Sequence, residues 1–297
     1  MVRLKFFVEL SYGVVGQPAD FIFNIHASRT QCQSLVSESL RISQDVPVSL
    51  FFDAAHGNRY ARLQANPGDL NVRYDATVDI AHHVASPDSI YEVPIVSLPP
   101  DTLPFIFPSR YCQSDRLQQF ARTEFGAMYQ GYGRVAAIRD WVRQHTRFQS
   151  GSSNPSTSAV DTLVEQAGVC RDFAHLMIAL CRALNIPARF VTGIDYGSDP
   201  SFGPPDFHAY VEVFLGDRWY LFDPTGMTVP MGLIRLGTGR DAADVSFATI
   251  FGTVVPYRPL IGIEAVEDSA NGFAMPVHAG DALSTSEYSE LAAAVTQ

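Results

Sequence analysis

A proline-rich stretch, SPDSIYEVPIVSLPPDTLPFIFPS at residues 86–109, sets the strongest limit on how this chain can fold. It contains six prolines. Because proline fixes φ and has no backbone N–H, such a stretch continues neither an α-helix nor a central β-strand. We therefore expect an extended linker between two parts of the chain. The length of 297 residues agrees, since about 150 residues make one domain.

Residues 1–85 have the pattern of β-structure. Short apolar segments, among them LKFFVEL, DFIFNIHA, VSLFFDA and NVRYDATVDI, are separated by Gly, Pro, Asn and Asp. This pattern predicts a small all-β, sandwich-like domain. His82 and His83 would point to opposite faces of a strand and make a poor metal clamp, so we expect no chemistry in this part.

From residue 110 onward the spacing of apolar residues becomes that of helices. It runs through SDRLQQFARTEFGAMYQG, GRVAAIRDWVRQH and SAVDTLVEQAG, and in the last Ser158 precedes Asp161 with the spacing of a capping box. A further helix is predicted at 170–185, and ARFVTGI, HAYVEVFL and RWYLFD follow with strand character. We therefore expect an α+β domain at 110–263, with helices packed on an antiparallel sheet.

The remaining residues, 264–297, are small, polar and acidic, and we expect them to be only partly ordered. The whole chain carries a formal net charge of −10. Nucleic acids and anionic membranes select basic surfaces, so neither is an expected partner. Charges interrupt the first segment, MVRLKFFVELSYG, and no apolar run reaches about 18 residues, so we expect no signal peptide and no membrane span.

The four cysteines are Cys32, Cys112, Cys170 and Cys181. They contain no CxxC pair, so a zinc ribbon or finger is not expected. On one helix, Cys170 and Cys181 would lie about 16 Å apart, which is too far for a disulfide. Free thiols are typical of a reducing compartment, and we expect a protein of the cytoplasm.

Cys170 stands at the first turn of the helix predicted in AGVCRDFAHLMIALCRALNIPARF. The unpaired N–H groups and the positive end of the helix dipole favour a thiolate there and can stabilise an oxyanion. Gly168, which we expect to end the preceding helix, would leave room for a substrate. Cys170 is therefore a candidate nucleophile, although a buried structural role is commoner for a free cysteine. Cys181, in mid-helix, is expected to have that structural role.

A nucleophilic thiol needs a base and a group that orients the base. A two-residue turn at 216–217, between HAYVEVFL and RWYLFD, would place Leu215 opposite Arg218. In that register His208 and Asp223 are diagonal neighbours on one face of the hairpin, with backbones about 7–8 Å apart. A histidine–carboxylate hydrogen bond spans this distance. His208 is therefore the candidate base and Asp223 its orienting group.

Other residues are weaker candidates for these roles. His175 lies about 140° around the helix from Cys170, so it is expected to pack or to lie at the surface. Asp206 and Glu212 compete with Asp223 as the orienting group, but Asp206 adjoins a proline-rich loop and has the context of a turn residue.

GVCRDFAHL, DFHAYVEVF and WYLFDPTG, in this order, resemble the bacterial transglutaminase-like superfamily, whose Cys–His–Asp members are related in fold to papain-type peptidases. GTGRDAADVSFATIFG at 237–252 is also similar to that family, and the part at 1–85 resembles its N-terminal companion domain. The resemblance implies a papain-like α+β core. It also implies that Cys170 is the nucleophile, His208 the base and Asp223 the orienting residue.

An oxyanion hole is part of the same expectation, and its first donor should be the backbone N–H of Cys170. Gln166 and Trp141 are candidates for the second donor, but Trp141 also fits the apolar stripe of its helix. Three further residues would either order the surroundings of the site or form exposed salt bridges, and these are Arg240, Asp241 and Asp244.

These residues predict a thiol enzyme that acts on amide bonds of a peptide or protein substrate through an acyl-thioester. The bacterial resemblance favours hydrolysis of a peptide or isopeptide bond, whereas an amine acceptor would make the same trio a transglutaminase. The other interpretations are a non-catalytic peptide-binding module and an acyltransferase with a thioester cofactor. No acidic calcium loop is found, and GTGR at 237–240 lacks a following Lys-Ser/Thr pair, so neither a metal nor another cofactor is expected.

Overall fold

Antiparallel strands make up the first part of the computed structural model, which describes residues 1–54, 56–197 and 204–285. These strands are β1 (Val2–Val14), β2 (Ala19–Phe23), β3 (Gln33–Ile42), β4 (Ser49–Asp53), β5 (Asn58–Ala65), β6 (Gly68–Ile80) and β7 (His83–Ala85). Along β1 and most of β6, buried side chains alternate with more exposed ones, as in strands with one face against a core.

Helices begin only after the proline-rich stretch, which confirms the α+β class. The remaining elements are α1 (Gln118–Phe125), α2 (Tyr132–His145), β8 (Arg147–Phe148), α3 (Ala159–Glu165), β9 (Ala167–Gly168), α4 (Cys170–Ala183), β10 (Ala188–Asp195), β11 (Phe207–Leu215), β12 (Arg218–Phe222), β13 (Leu233–Gly239), β14 (Ala248–Phe251), β15 (Val254–Pro256), β16 (Leu260–Val266) and β17 (Ala282–Ser284). Within the described ranges, no helix combines the length and the apolar character needed to cross a bilayer.

Helix α3 begins at the predicted capping box. Asp161 accepts hydrogen bonds from the backbone N–H of Ser158 at 2.9 Å and from its hydroxyl at 2.6 Å. The helix ends at Glu165 rather than beside Gly168, because Gln166 has a left-handed backbone conformation with φ of 53°.

Two antiparallel sheets form a sandwich. The first has the strand order β15-β1-β6-β3, with β16 also paired to β1, and the second has the order β14-β2-β5-β4. The ring of Tyr12 in the first sheet lies 5.2 Å from that of Phe21 and 6.2 Å from that of Phe23 in the second. Side chains of both sheets form one hydrophobic core, so the predicted N-terminal β-domain is present.

Three strands from the far end of the chain complete this sandwich. Strand β14 pairs with β2, and β15 and β16 both pair with β1. The predicted boundary at residue 263 is therefore wrong, since residues 248–266 belong to the sandwich by their pairing. The physical reason is that β1 and β2 would otherwise end the sheets as unpaired edges, which later strands can cover. The predicted tail at 264–297 begins within β16 and includes β17, and its residues 286–297 lie outside the described residues.

The proline-rich stretch at 86–109 is more ordered than an extended linker. It contains three short 3-10 turns, at Pro87–Ser89, Ile95–Ser97 and Pro100–Phe105. Leu98 and Phe105 are buried in a cluster with Phe214 and Trp219 of the hairpin β11–β12. Prolines prevent regular structure here but leave the apolar side chains free to cover the sheet. The stretch is therefore a packed layer.

An ionic contact also fixes this layer to the helices. The guanidinium of Arg134 in α2 donates from Nε to the carboxylate of Glu92 at 2.8 Å. The side chains are only 6% and 9% exposed, so the pair is almost fully desolvated.

A third antiparallel sheet, with the order β12-β11-β10-β13, lies against α4. Its hairpin has the predicted register, since Leu215 is paired with Arg218 and Phe214 with Trp219 across a two-residue turn. Gly216 supplies the positive φ, 59°, that such a turn requires.

This third sheet abuts the sandwich. Ile194, Ile234 and Leu236 are buried in the sandwich core. The side chain of Asn58 donates to the backbone oxygen of Thr238 at 2.9 Å and accepts from its N–H at 2.8 Å. The two parts of the fold therefore share apolar and hydrogen-bonded contacts, and the cleft described next lies beside this junction.

Candidate active site

Cys170 is the first residue of α4 and lines a cleft of about 560 Å³. In the part of the chain that the structure describes, its backbone N–H donates to no protein acceptor, as expected for the first turn of a helix. The N–H group and the positive end of the helix dipole are therefore available to an anion in the cleft.

A buried carboxylate holds the start of α4. Asp172 accepts hydrogen bonds from the N–H of Val169 at 2.9 Å and from the hydroxyl of Ser153 at 2.9 Å. Arg171 donates in turn to that hydroxyl at 2.5 Å and to the backbone oxygen of Asn154 at 2.7 Å. Sequence reasoning missed Asp172, although a carboxylate in the first turn, two residues after the cysteine, has capping spacing.

Gly168 has a different role from the one predicted. A Cβ atom at this position would lie 2.7 Å from the Cβ atom of Asp172, so the glycine makes space for the capping carboxylate. It does not line the cleft. The expected substrate space next to Gly168 is therefore occupied by the protein itself.

His208 and Asp223 meet as diagonal neighbours on β11 and at the end of β12. The Nε2 atom of His208 lies 3.3 Å from Oδ1 of Asp223. Cys170 lies beside the same imidazole, and its interaction with the ring contributes to the raised pKa of His208. The structure thus brings the three predicted residues together around one imidazole.

Four hydrogen bonds from a turn fix the Asp223 carboxylate. The N–H and hydroxyl of Thr225 donate to Oδ1 at 2.9 and 2.7 Å, and those of Thr228 donate to Oδ2 at 3.2 and 2.8 Å. Burial alone would raise the pKa of Asp223, but the charge of His208 and the bonds from His208 and Thr225 lower it well below its usual value. The sequence signal for these threonines is the turn FDPTGMT itself.

The pKa of His208 is shifted in the opposite direction from that of Asp223. Burial alone would lower its pKa, but attraction to Asp223 and hydrogen bonds with Asp223 and Cys170 raise the pKa of His208 well above 6.5. The site therefore favours the charged imidazolium.

A second carboxyl group, which sequence reasoning missed, lies on the other side of His208. Oδ2 of Asp195 is 3.9 Å from Nδ1 of His208, and both side chains are nearly buried. Strand β10 places it there, because Gly193 is paired with His208 and Asp195 follows two residues later on the same face. Gly193 has no room for a side chain, since a Cβ atom would overlap Leu233 and Ile234.

The cleft wall combines apolar, polar and charged side chains and comes from both parts of the fold. The segment that returns to the sandwich contributes Phe247, Ala248 and Arg258, and the ring of Phe247 stacks on that of Phe207 at 4.3 Å. Charged side chains at the cleft are Arg171, Arg258, Asp195, Asp206 and His208. Among the described residues, no group of three or more His, Cys, Asp or Glu could hold a metal ion.

Neither candidate for the second oxyanion donor lies at the cleft. Trp141 packs in an aromatic cluster, with ring centroids 5.2 Å from Phe120 and 4.1 Å from His145. Gln166 is exposed at the end of α3. Both lie outside the cleft lining, so these two assignments do not fit the structure. For Trp141 the apolar stripe of its helix was the correct indication.

His175 and Cys181 have structural positions. Both are fully buried on α4, and burial raises the pKa of Cys181 well above its usual value. The ring of His175 stacks on Tyr111 at 4.9 Å, and its Nε2 accepts the N–H of Ala242 at 3.2 Å. Tyr111 lines the cleft, so His175 supports the cleft wall from behind.

The remaining candidates divide between ion pairs and loop contacts. Glu212 is buried between Arg189, at 2.7 Å, and Arg235, and it does not orient His208. Asp206 is exposed at the cleft. Asp241 accepts the N–H of Tyr111 at 2.9 Å, and Arg240 forms an exposed pair with Asp244 at 2.9 Å.

Comparison with known proteins agrees with this geometry. Residues 118–224 match the model of the transglutaminase-like superfamily, and residues 2–101 match that of the bacterial transglutaminase N-terminal domain. The crystal structure of a proposed cysteine protease from Cytophaga hutchinsonii is similar, with 41% identity and a TM-score of 0.87, over 95% of this chain and 97% of that one.

Two mycobacterial proteins are similar over a shorter region. Uncharacterized protein ML0607 of Mycobacterium leprae is 34% identical over 117 residues, which are 38% of this chain and 41% of that protein. Uncharacterized protein Rv2569c of Mycobacterium tuberculosis is 36% identical over 125 residues, 37% of this chain and 40% of that protein. The match therefore spans about two fifths of each mycobacterial protein.

Proposed function

Since the chain belongs to the transglutaminase-like superfamily, we propose that it is a thiol enzyme that hydrolyses amide bonds, with Cys170, His208 and Asp223 as its catalytic triad. The observation that carries the proposal is that the imidazole of His208 faces the buried carboxylate of Asp223 and lies beside Cys170 in the lining of a cleft. The substrate class is a peptide or protein with a peptide or isopeptide bond.

In the first step His208 holds the proton of the Cys170 thiol, and the sulfur attacks the carbonyl carbon of the substrate. The backbone N–H of Cys170 donates to the oxygen, which becomes negative as the tetrahedral intermediate forms. Asp223 keeps the imidazolium oriented through Nε2. The raised pKa of His208 supports this role, because it allows a resting ion pair with the thiolate.

In the second step His208 gives its proton to the leaving nitrogen, and the C–N bond breaks. An acyl-thioester on Cys170 remains. Water then attacks the thioester carbon and gives a proton to His208, the C–S bond breaks, and the thiolate is restored with a carboxylic acid as product. If an amine attacks in place of water, the product is a new amide.

Hydrolysis is the first proposal because the similar Cytophaga protein is a proposed cysteine protease. Transglutaminase activity is the second, since the same triad and thioester serve both reactions. A non-catalytic peptide-binding module is disfavoured by the intact trio. An acyltransferase with a thioester cofactor would load Cys170 from that cofactor, so acylation of the cysteine by an acyl-CoA would distinguish it.

The test is turnover of peptide and isopeptide substrates by the wild type and by Cys170→Ala. We expect the variant to lose at least about 10³-fold in kcat, because the nucleophile is removed. Cys32→Ala is the control, since Cys32 is a partly exposed thiol of the sandwich, outside the cleft lining. Equal turnover by Cys170→Ala and the wild type would exclude the proposed nucleophile.

We also propose that the enzyme acts in the cytoplasm and binds neither nucleic acid nor membrane. None of the four cysteines forms a disulfide, as in proteins of reducing compartments, and the formal net charge is −10. Fractionation of cells that express the native chain checks this, and a mostly extracytoplasmic pool would contradict it.

A further inference from the structure

We propose that Asp195 binds the amine side of the scissile amide and directs the acyl-enzyme toward primary amines that are positively charged in water. This inference deepens the second of the reactions proposed above, transfer of the acyl group to an amine, and it rests on the Cys170 acyl-thioester that both reactions share. It starts from the position of Asp195 next to the catalytic imidazole, on the side away from Asp223.

His208 lies on the middle strand of three, between two carboxyl groups. Oδ1 of Asp223 is 3.3 Å from Nε2, and Oδ2 of Asp195 is 3.9 Å from Nδ1. The side chains of both acids are only 4% exposed. Each carboxyl therefore faces a different ring nitrogen, in surroundings where water screens charge weakly.

Nδ1 is the ring nitrogen that must transfer the proton of the reaction, because Nε2 is held by Asp223. A leaving or attacking nitrogen has to come within about 3 Å of Nδ1 to exchange a proton. Such an atom can at the same time lie about 3 Å from Oδ2 of Asp195, since the two protein atoms are only 3.9 Å apart. Asp195 also lines the cleft, so its carboxyl is within reach of a substrate.

A carboxylate at this place distinguishes an amine from water. The amine arrives or leaves as an ammonium, and a charged hydrogen bond is about twice as strong as a neutral one. Water offers only neutral O–H groups. An ionised carboxylate has about four acceptor sites, so Asp195 can bind an amine in addition to the contacts it makes within the protein.

The acyl-thioester on Cys170 reacts either with an amine or with water, and selectivity is decided at this step. An ammonium held by Asp195 first releases a proton to solvent, and the neutral nitrogen then forms a C–N bond with the carbonyl carbon. The nitrogen gives a second proton to His208, the C–S bond breaks, and Cys170 leaves as a thiolate. Water attacks the same carbon as a neutral molecule and gives one proton to His208, the C–S bond breaks, and the product is the acid. The ratio of amide to acid from one acyl-enzyme therefore measures the selectivity directly.

Asp206 provides a matched control within the same cleft. Its carboxyl is exposed, and it accepts the N–H of Phe207 at 2.7 Å. Removing either charge changes the total charge of the cleft by the same amount. Of these two acids, only Asp195 faces Nδ1 of His208, so we expect its removal, and not that of Asp206, to change the choice between amine and water.

The experiment forms the acetyl-enzyme from p-nitrophenyl acetate and adds n-butylamine, a cation at neutral pH, or hydroxylamine, which is largely neutral. The amide-to-acid ratio is measured for the wild type, Asp195→Asn, Asp195→Glu and Asp206→Asn. For n-butylamine we expect Asp195→Asn to lower the ratio about tenfold and Asp206→Asn to change it less than about twofold. Asp195→Glu should keep the ratio within about threefold, because it retains the charge.

With hydroxylamine we expect the ratio of Asp195→Asn to change less than about twofold, because no charge is recognised. An unchanged ratio with n-butylamine, or an equal fall with both nucleophiles, would overturn the inference. The product ratio does not depend on the fraction of folded enzyme, so a partly unfolded variant still gives an answer. If the wild type forms no acetyl group on Cys170, detected by mass spectrometry, the proposed function fails together with this inference.

Discussion

The imidazole of His208 faces the carboxylate of Asp223 at 3.3 Å, and that carboxylate accepts four further hydrogen bonds from Thr225 and Thr228. His208 is thus oriented by a carboxylate whose two oxygens both accept hydrogen bonds from the turn. Its orientation depends on the turn after β12 as much as on the hairpin.

The first prediction concerns the orienting carboxylate. Asp223→Asn should lower kcat about 10⁴-fold, because an amide stabilises neither the imidazolium nor its tautomer. NMR titration should show a lower pKa for His208 in the variant. Asp217→Asn at the hairpin turn is the control, since it removes a carboxylate far from the imidazole in register. A variant with wild-type kcat would contradict the role of Asp223.

The contribution of the turn threonines to stability and activity can be measured separately from that of Asp223. Thr228→Val removes the hydroxyl that donates to Asp223 at 2.8 Å and accepts from Tyr210 at 2.9 Å. We expect a loss of about 1–3 kcal/mol in the free energy of unfolding, since buried partners are left unsatisfied, and a lower kcat. Urea denaturation checks this against Thr249→Val, an exposed position on β14. Equal losses in both variants would show that the turn contributes nothing specific.

The free energy of unfolding should depend on pH through His208 and Asp223, whose pKa values are shifted in opposite directions. The raised pKa of His208 contributes stability that is complete below about pH 6.5 and is lost as the pH rises through the folded value. The lowered pKa of Asp223 contributes stability that is present above about pH 3.8 and is lost as the pH falls through the folded value. Urea denaturation of the wild type and His208→Ala across pH should show the largest difference near pH 6 and a smaller one in alkali. A difference that grows with rising pH would refute this assignment.

The glycine before α4 gives a steric prediction. Gly168→Ala would force the new methyl group against the side chain of Asp172, so we expect a loss of about 1–3 kcal/mol and slower alkylation of Cys170 by iodoacetamide. Gly133→Ala on α2 is the matched control, because a Cβ atom there meets nothing within 4 Å. That control should be neutral or more stable by about 0.5–1 kcal/mol. Equal stability and equal alkylation rates in the two variants would contradict the role of Gly168 in making space for the capping carboxylate.

The proline-rich layer can be tested through its buried ion pair. Glu92→Gln leaves the guanidinium of Arg134 without its charged partner, so we expect the free energy of unfolding to fall by about 3–5 kcal/mol. Glu124→Gln on α1 is exposed and should change it by less than about 0.5 kcal/mol. If both variants unfold at the same urea concentration, residues 86–109 are only a linker.

The part of the site that could be predicted depended on short connections. A two-residue turn fixes the register of β11 and β12, and the diagonal placement of Asp223 beside His208 follows from it. Asp195 could not be found in this way. Residues 196–206 separate its strand from β11, and a connection of that length leaves the register between the strands open.

The pairing of strands that are far apart in the sequence also limited what could be predicted. The alternating pattern of the first strands indicates a sandwich, but it does not say that β14–β16 complete its sheets, because an edge can be covered by any later strand. Trp141 and Gln166 are candidates because they lie upstream of Cys170 in the sequence, but tertiary packing turns both away from the cleft.

The return of β14, β15 and β16 to the first two strands has a topological consequence. The helical half is an insertion within the chain of the sandwich, and Phe247, Ala248 and Arg258 of the cleft wall belong to the returning segment. Cutting the chain at 86–109 would therefore not release an independent catalytic fragment. It would leave β14, β15 and β16 on one piece and their partner strands on the other. We therefore expect the whole molecule to unfold as one cooperative unit.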